Sequence, residues 1–167
     1  MNKPTHLILH HTGVDSDLPQ LPAVEKYHKE KGFPKSSLGF HTGYHRMISK
    51  NGIVFVTRAD AEEGAHTLKG WNTKSIGVCL DGDFNKHAPT AMQIAVTKAL
   101  IQSYELPWMF HKEADADRTC AGLYFTRDLI ENKPKLLPPV EKAKIKAISA
   151  NVASSGFLDL LKRLFRV

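Results

Sequence analysis

Hydrophobic and polar positions along the chain alternate between two periods, one suited to buried strands and one to amphipathic helices. Residues 6–12 are apolar through Leu7-Ile8-Leu9 and run to Gly13, the pattern of a strand covered on both faces. The segment 21–31 places Leu21, Val24, Tyr27 and His28 on one stripe and meets Gly32, which predicts a helix and its stop. A loop rich in Gly, Ser and Lys follows as far as Thr42. Residues 43–49 and 53–57 flank Asn51-Gly52, the strongest short hairpin signal, and residues 74–80 form a further strand closed by Asp81-Gly82. Thr90 with Gln93 three residues on predicts a capped helix to Tyr104, with Ile94, Leu100 and Ile101 on its apolar stripe. A short strand over 107–111, a loop over 112–119 and a helix from about 122 to 131 complete a mixed α and β body.

Pro134, Pro138 and Pro139 mark a boundary, so the pattern divides the chain into a body over 1–133 and an extension over 134–167. The piece 140–150 is polar and helical in pattern. In the last stretch Phe157, Leu160, Leu161, Leu164 and Phe165 recur at helical spacing, with Asp159, Lys162, Arg163 and Arg166 on the other side. A short basic amphipathic helix of this kind lies in a membrane interface or packs its apolar face on its own domain.

A length of 167 residues and 18.6 kDa suits one domain with a real core. The net charge of +6 and pI near 9.3 favour an acidic partner, such as nucleic acid, an anionic wall polymer or a membrane surface, or serve solubility alone. Two cysteines are too few for a disulfide framework, and Cys79, inside an apolar run, reads as a buried reduced thiol. The N-terminus carries no signal-peptide pattern and no stretch is long enough to span a bilayer, so the chain is expected to start in the cytosol.

Candidate chemistry sits at the ends of these elements. His10 ends an apolar run, His111 follows Trp108-Met109-Phe110, and Cys120 precedes an aromatic-rich segment. Two imidazoles and one thiolate suit a catalytic Zn²⁺, which takes three protein ligands and keeps a fourth position open. His10 and His11 compete for one ligand place, because neighbouring strand residues point to opposite faces. Tyr44 and Arg118 are the candidates to meet negative charge on a carbonyl oxygen, and Arg118 stays cationic. Glu113, Asp115 and Asp117 crowd the same loop, where one acid could steer a histidine through its second ring nitrogen. His6, His28, His41 and His87 read as structural.

These residues carry a resemblance that covers most of residues 5–131. Leu7-Ile8-Leu9-His10-His11-Thr12, Gly43-Tyr44-His45, Asn51-Gly52, Gly64-Ala65-His66, Lys69-Gly70-Trp71-Asn72, Ser75-Ile76-Gly77-Val78-Cys79-Leu80, His111 and Cys120 follow in the order of the zinc-dependent N-acetylmuramoyl-L-alanine amidases. The chain resembles this type-2 amidase and peptidoglycan-recognition-protein superfamily, its phage lysozymes above all. The resemblance implies an α/β fold, with a mixed central sheet flanked by helices and a Zn²⁺ in a groove on one face. It implies His10, His111 and Cys120 as ligands, Tyr44 and Arg118 as catalytic residues, and His66, Trp71 and Asn72 along the groove that holds muramyl peptide.

Departures from the family are specific. Ala121-Gly122 replaces the usual Pro-Gly after the cysteine, Arg118 stands where phage members have lysine, and Cys79 stands where some amidases place a glutamate. The loops 32–42 and 111–120 are longer than in the phage enzymes. The resemblance thus implies a monomeric endolysin that cleaves peptidoglycan between N-acetylmuramic acid and L-alanine. It would be made in the host cytoplasm and released to the wall in the periplasm, with no nucleic-acid partner. A non-catalytic peptidoglycan-binding module is the alternative, as is an amidase that also regulates a phage RNA polymerase.

Overall fold

The computed structural model describes residues 2–132 except Lys69 and Asp117. The expected Pro-rich boundary, the helix over 140–150 and the amphipathic stretch 154–167 lie outside the described residues. Strand β1 (His6–His11) leads to helix α1 (Leu21–Glu30), then β2 (Arg46–Ile48), β3 (Val54–Val56), β4 (Ser75–Leu80), α2 (Ala91–Tyr104), β5 (Trp108–Phe110), α3 (His111–Ala114) and α4 (Arg127–Glu131). The strands form one sheet in the order β3-β2-β4-β1-β5, antiparallel only between β2 and β3. This is the mixed sheet with flanking helices that the sequence implied.

The apolar runs explain the middle of the sheet. Every residue of β4 is buried, as is Leu7 to His10 in β1, because both strands pair on two sides and are covered on two faces. Alternation then sorts the two faces. Leu7, Leu9, Ile76, Val78 and Leu80 join Val96 and Leu100 of α2, Phe110 and Ile130 of α4 in the hydrophobic core. Ile8, His10, Gly77 and Cys79 take the opposite face, with Ile8 beside Gly77 and His10 beside Cys79 in the parallel register. The site is built on this second face.

Helix α2 starts with the expected capping box, in which the Gln93 amide donates to Thr90 and the Gln93 side chain accepts from the Thr90 backbone. Its buried stripe is Gln93, Val96, Thr97 and Leu100, while Ile94 and Ile101 are only partly buried. The stripe is rotated because Gln93 satisfies two sheet-end carbonyls, donating to those of Ile48 and Asp81. Three further expectations change. Helix α1 buries only His28, leaving Tyr27 56% exposed. The last helix is confined to Arg127–Glu131 rather than starting near 122. A helical turn, α3, occupies the start of the expected 112–119 loop, and Glu113 caps it by accepting from the Phe110 amide.

Candidate metal centre

His10 lies near the C-terminal end of β1 with its ring 1% exposed, on the site face of the sheet. His11 points the other way: its Nδ1 accepts from the Phe84 amide and its ring packs on Phe84. The strand's alternation therefore places His10, and not His11, on the same face as the other candidate donors. His111 begins α3 directly after β5, which pairs with β1, and its ring centroid is 4.4 Å from that of His10. Cys120 returns to the same place because the Lys112 amide donates to the Cys120 carbonyl at 2.7 Å, closing the loop onto α3.

The Cys120 Sγ accepts from the His11 amide at 3.4 Å and lies 3.7 Å from His10 Nδ1. One donor atom from each of His10, His111 and Cys120 falls within 4.8 Å of the others. Tetrahedral zinc with N and S ligands separates neighbouring donors by about 3.5 Å, so a small inward movement completes such a shell. His111 Nε2 is buried with no hydrogen-bond partner among the described residues, an arrangement that an ion would satisfy. The donor set and this orphaned nitrogen fit a zinc ion.

Electrostatics favour the same occupant. Burial, reinforced by neighbouring histidines, holds His10 well below the usual imidazole range, and burial together with Arg118 lowers His111. Both are therefore neutral, the form that binds metal. Burial pushes the Cys120 thiol up to about 11, against the His11 amide, Lys112 and Arg118, which favour its thiolate. A bound cation would add to that pull and release the proton.

Beside the three candidate donors a pocket of about 300 Å³ opens to solvent, lined also by Tyr44 and Arg118. Helix α1 fixes the approach to Tyr44. Glu25 accepts from the amides of His41 and Thr42 and from the Thr42 hydroxyl, and His28 Nδ1 accepts from the Gly43 amide. Burial, reinforced by the neighbouring Cys79 and Cys120, raises the Tyr44 phenol well above its ordinary pKa, so it remains a donor. Arg118 Nε stands 3.6 Å from Oδ2 of the buried Asp115, and the Arg118 amide donates to the Asp115 carbonyl. Of the loop acids, Asp115 thus tethers Arg118, whereas Glu113 pairs with Arg127. Asp117 is outside the described residues.

The three residues expected along the groove make the following contacts. His66 is buried, with Nδ1 at 3.0 Å from His10 Nε2. Asn72 spends its side chain on backbone, accepting from the amides of His66 and Thr67 and donating to the Thr67 carbonyl. Trp71 packs edge-on against His6, with Lys74 over its ring. None of the three lines the pocket. Of the histidines read as structural, His28 and His41 hold backbone groups, His6 bonds Thr5, and His87 pairs with Asp15. Cys79 is the buried free thiol expected, opposite His10 in the register of β1 and β4.

Comparison with known proteins agrees with this fold. Peptidoglycan-recognition protein 2 of Holotrichia diomphalia is 30% identical over 104 residues, which cover 58% of this chain and 52% of that protein. The endolysin of Escherichia phage T7 is 39% identical over 59 residues, covering 35% of this chain and 34% of the endolysin. The chain spans about half the length, or less, of these curated relatives. Among solved structures, the N-acetylmuramoyl-L-alanine amidase LysC from Clostridium intestinale superposes with a TM-score of 0.62 at 25% identity, covering 87% of this chain and 86% of that one. Drosophila peptidoglycan recognition protein SA shares the fold, with a TM-score of 0.64 at 22% identity over 83% of this chain and 84% of that one. Residues 1–122, which include β1, Tyr44, His111 and Cys120, match the family pattern directly, and the chain belongs to the N-acetylmuramoyl-L-alanine amidase family.

Proposed function

We propose that this protein is a zinc-dependent endolysin that hydrolyses the amide between the lactyl group of N-acetylmuramic acid and L-alanine in peptidoglycan. The observation that carries the reading is the convergence of His10, His111 and Cys120 beside Tyr44 at an open pocket, in a chain of this family. Zn²⁺ held by these three residues would supply a Lewis acid and, at neutral pH, a hydroxide nucleophile.

The remaining chemistry belongs to the chain. Tyr44, kept protonated by burial, donates a hydrogen bond to the carbonyl oxygen as negative charge develops on it. Arg118, 53% exposed at the pocket mouth and tethered to Asp115, offers a second, charged donor to the same oxygen. His11 supports the thiolate through its backbone amide while its side chain stays with Phe84. In this scheme His66, Trp71 and Asn72 border the groove that holds muramyl peptide, and the hydrogen bonds of His66 and Asn72 also hold its wall in place.

Digestion of purified sacculi followed by mass spectrometry of the fragments tests the reaction. Free L-alanine amines with intact glycan strands are the expected products; new reducing sugar ends would overturn the assignment in favour of a glycosidase. The relatives that carry the name endolysin support action on the bacterial wall, here as a monomer reaching the periplasm from the host cytoplasm. Among the described residues no helix is long and apolar enough to cross a membrane. Residues 1–133 are the catalytic unit in this scheme, and the basic amphipathic stretch 154–167 engages anionic envelope lipids. Deleting 154–167 is expected to preserve activity on purified wall and to reduce killing of intact Gram-negative cells; equal loss or none in both assays would remove the lipid role.

A further inference from the structure

Behind His10 a line of polar atoms runs away from the pocket and ends on a backbone carbonyl. His10 Nε2 is 3.0 Å from His66 Nδ1, His66 Nε2 is 3.5 Å from Ser75 Oγ, and Ser75 Oγ is 2.6 Å from the Trp71 carbonyl oxygen. Both imidazoles and the serine are buried, so no solvent completes their hydrogen bonding. The direction of every bond in this line follows from its last member. A carbonyl only accepts, so the single hydroxyl hydrogen of Ser75 goes to Trp71. Ser75 Oγ is then left with lone pairs for His66, which makes His66 Nε2 the protonated nitrogen and Nδ1 the acceptor. His10 must consequently donate from Nε2, leaving a lone pair on Nδ1, the nitrogen 3.7 Å from Cys120 Sγ.

We propose that His66 is a positioning residue which, anchored through Ser75 on the Trp71 carbonyl, locks His10 in its Nε2–H tautomer with the Nδ1 lone pair aimed at the ion. The opposite polarity would put a hydrogen on His10 Nδ1, facing Cys120, and would close the ligand place. This inference rests on the zinc reading of the site given above. The slot that holds His66 is built for it. A Cβ on Gly64 or on Gly77 would come within 2.5 Å of its ring, so two glycines leave room for an imidazole on that line. His45 presses on it edge-on at 5.7 Å and is itself fixed, accepting at Nδ1 from the Gly77 amide and donating from Nε2 to the Glu62 carbonyl.

Two measurements test this. Long-range ¹H–¹⁵N correlation on the metal-free wild-type protein reads the tautomer of each histidine; His10 with a protonated Nε2 is expected, and His10 with a protonated Nδ1 would overturn the proposal. The second is zinc affinity by competition with a chromogenic chelator. His66→Leu is expected to weaken zinc binding about 10- to 100-fold. His66→Asn, whose Oδ1 stands near the place of Nδ1 as an acceptor, is expected to recover most of that loss. A folded His66→Leu variant with wild-type zinc affinity would refute the role, and if that variant does not fold, the wild-type tautomer decides. Wild-type protein that binds no zinc would instead remove the metal reading, while the tautomer measurement still judges the hydrogen-bonded line.

Discussion

His10 Nδ1 and Cys120 Sγ, 110 residues apart in sequence, meet at 3.7 Å. Cys120→Ser replaces a thiolate that prefers zinc with a hydroxyl that does not. Elemental analysis is expected to show loss of stoichiometric zinc, with release of alanine amines from sacculi falling at least a thousandfold, as expected when an essential metal-held nucleophile is removed. Full turnover by this variant would contradict the assigned ligand set.

Tyr44 is expected to act only on developing charge. Tyr44→Phe should lower kcat about a hundredfold or more, as removal of one oxyanion donor does, with KM and zinc content nearly unchanged. Steady-state kinetics on soluble muramyl peptide checks the split.

Arg118 offers a charge whose geometry differs from that of lysine. Arg118→Ala is expected to lower kcat about tenfold to a hundredfold, and Arg118→Lys to restore part of it, since the charge returns without the planar fork. If alanine and lysine variants match the wild type, Arg118 is a surface charge tied to Asp115.

Asp81, 2% exposed at the end of β4, accepts from the Gln20 amide at 2.8 Å. Burial raises its carboxyl to about 6, against the Gln20 hydrogen bond and Lys50. Because the folded value lies above the unfolded 3.8, the protonated form favours the fold, and stability is lost as pH rises from about 4 through 6. Over that window the wild type is expected to lose about 2 kcal/mol, after allowing for solvent screening, relative to Asp81→Asn. Urea unfolding of both proteins at pH 4 and pH 7 measures it; parallel pH dependences would reject the account.

Gly77 has no room for a side chain, since its Cβ would stand 2.5 Å from the His66 ring. Gly77→Ala is expected to cost about 2–3 kcal/mol by forcing ring and strand apart, read as a lower Tm. An unchanged Tm would mean that the slot is softer than its contacts imply.

Much of this was legible in the residue pattern. The apolar run before His10, the Asn51-Gly52 turn and the Thr90–Gln93 capping box are local signals, and local chemistry decides them. The residues that come together at the candidate metal centre, His10, His111 and Cys120, were legible because their order follows a family. Less visible was the buried face of α2, where Gln93 displaced Ile94 and Ile101, because satisfying two sheet-end carbonyls depends on where the sheet lies. The same holds for His66 and Asn72, whose partners are a histidine 56 residues away and a nearby loop backbone.

The sequence by itself therefore determined the strands, the main helix and the candidate donors, since periodicity and side-chain type are properties of short segments. Only the tertiary structure turned the His11 side chain to the Phe84 amide and brought His66 to His10. Those outcomes depend on which face of one strand meets which loop, and burial enforces them: a polar atom shut away from water must take the partner that the fold brings to it.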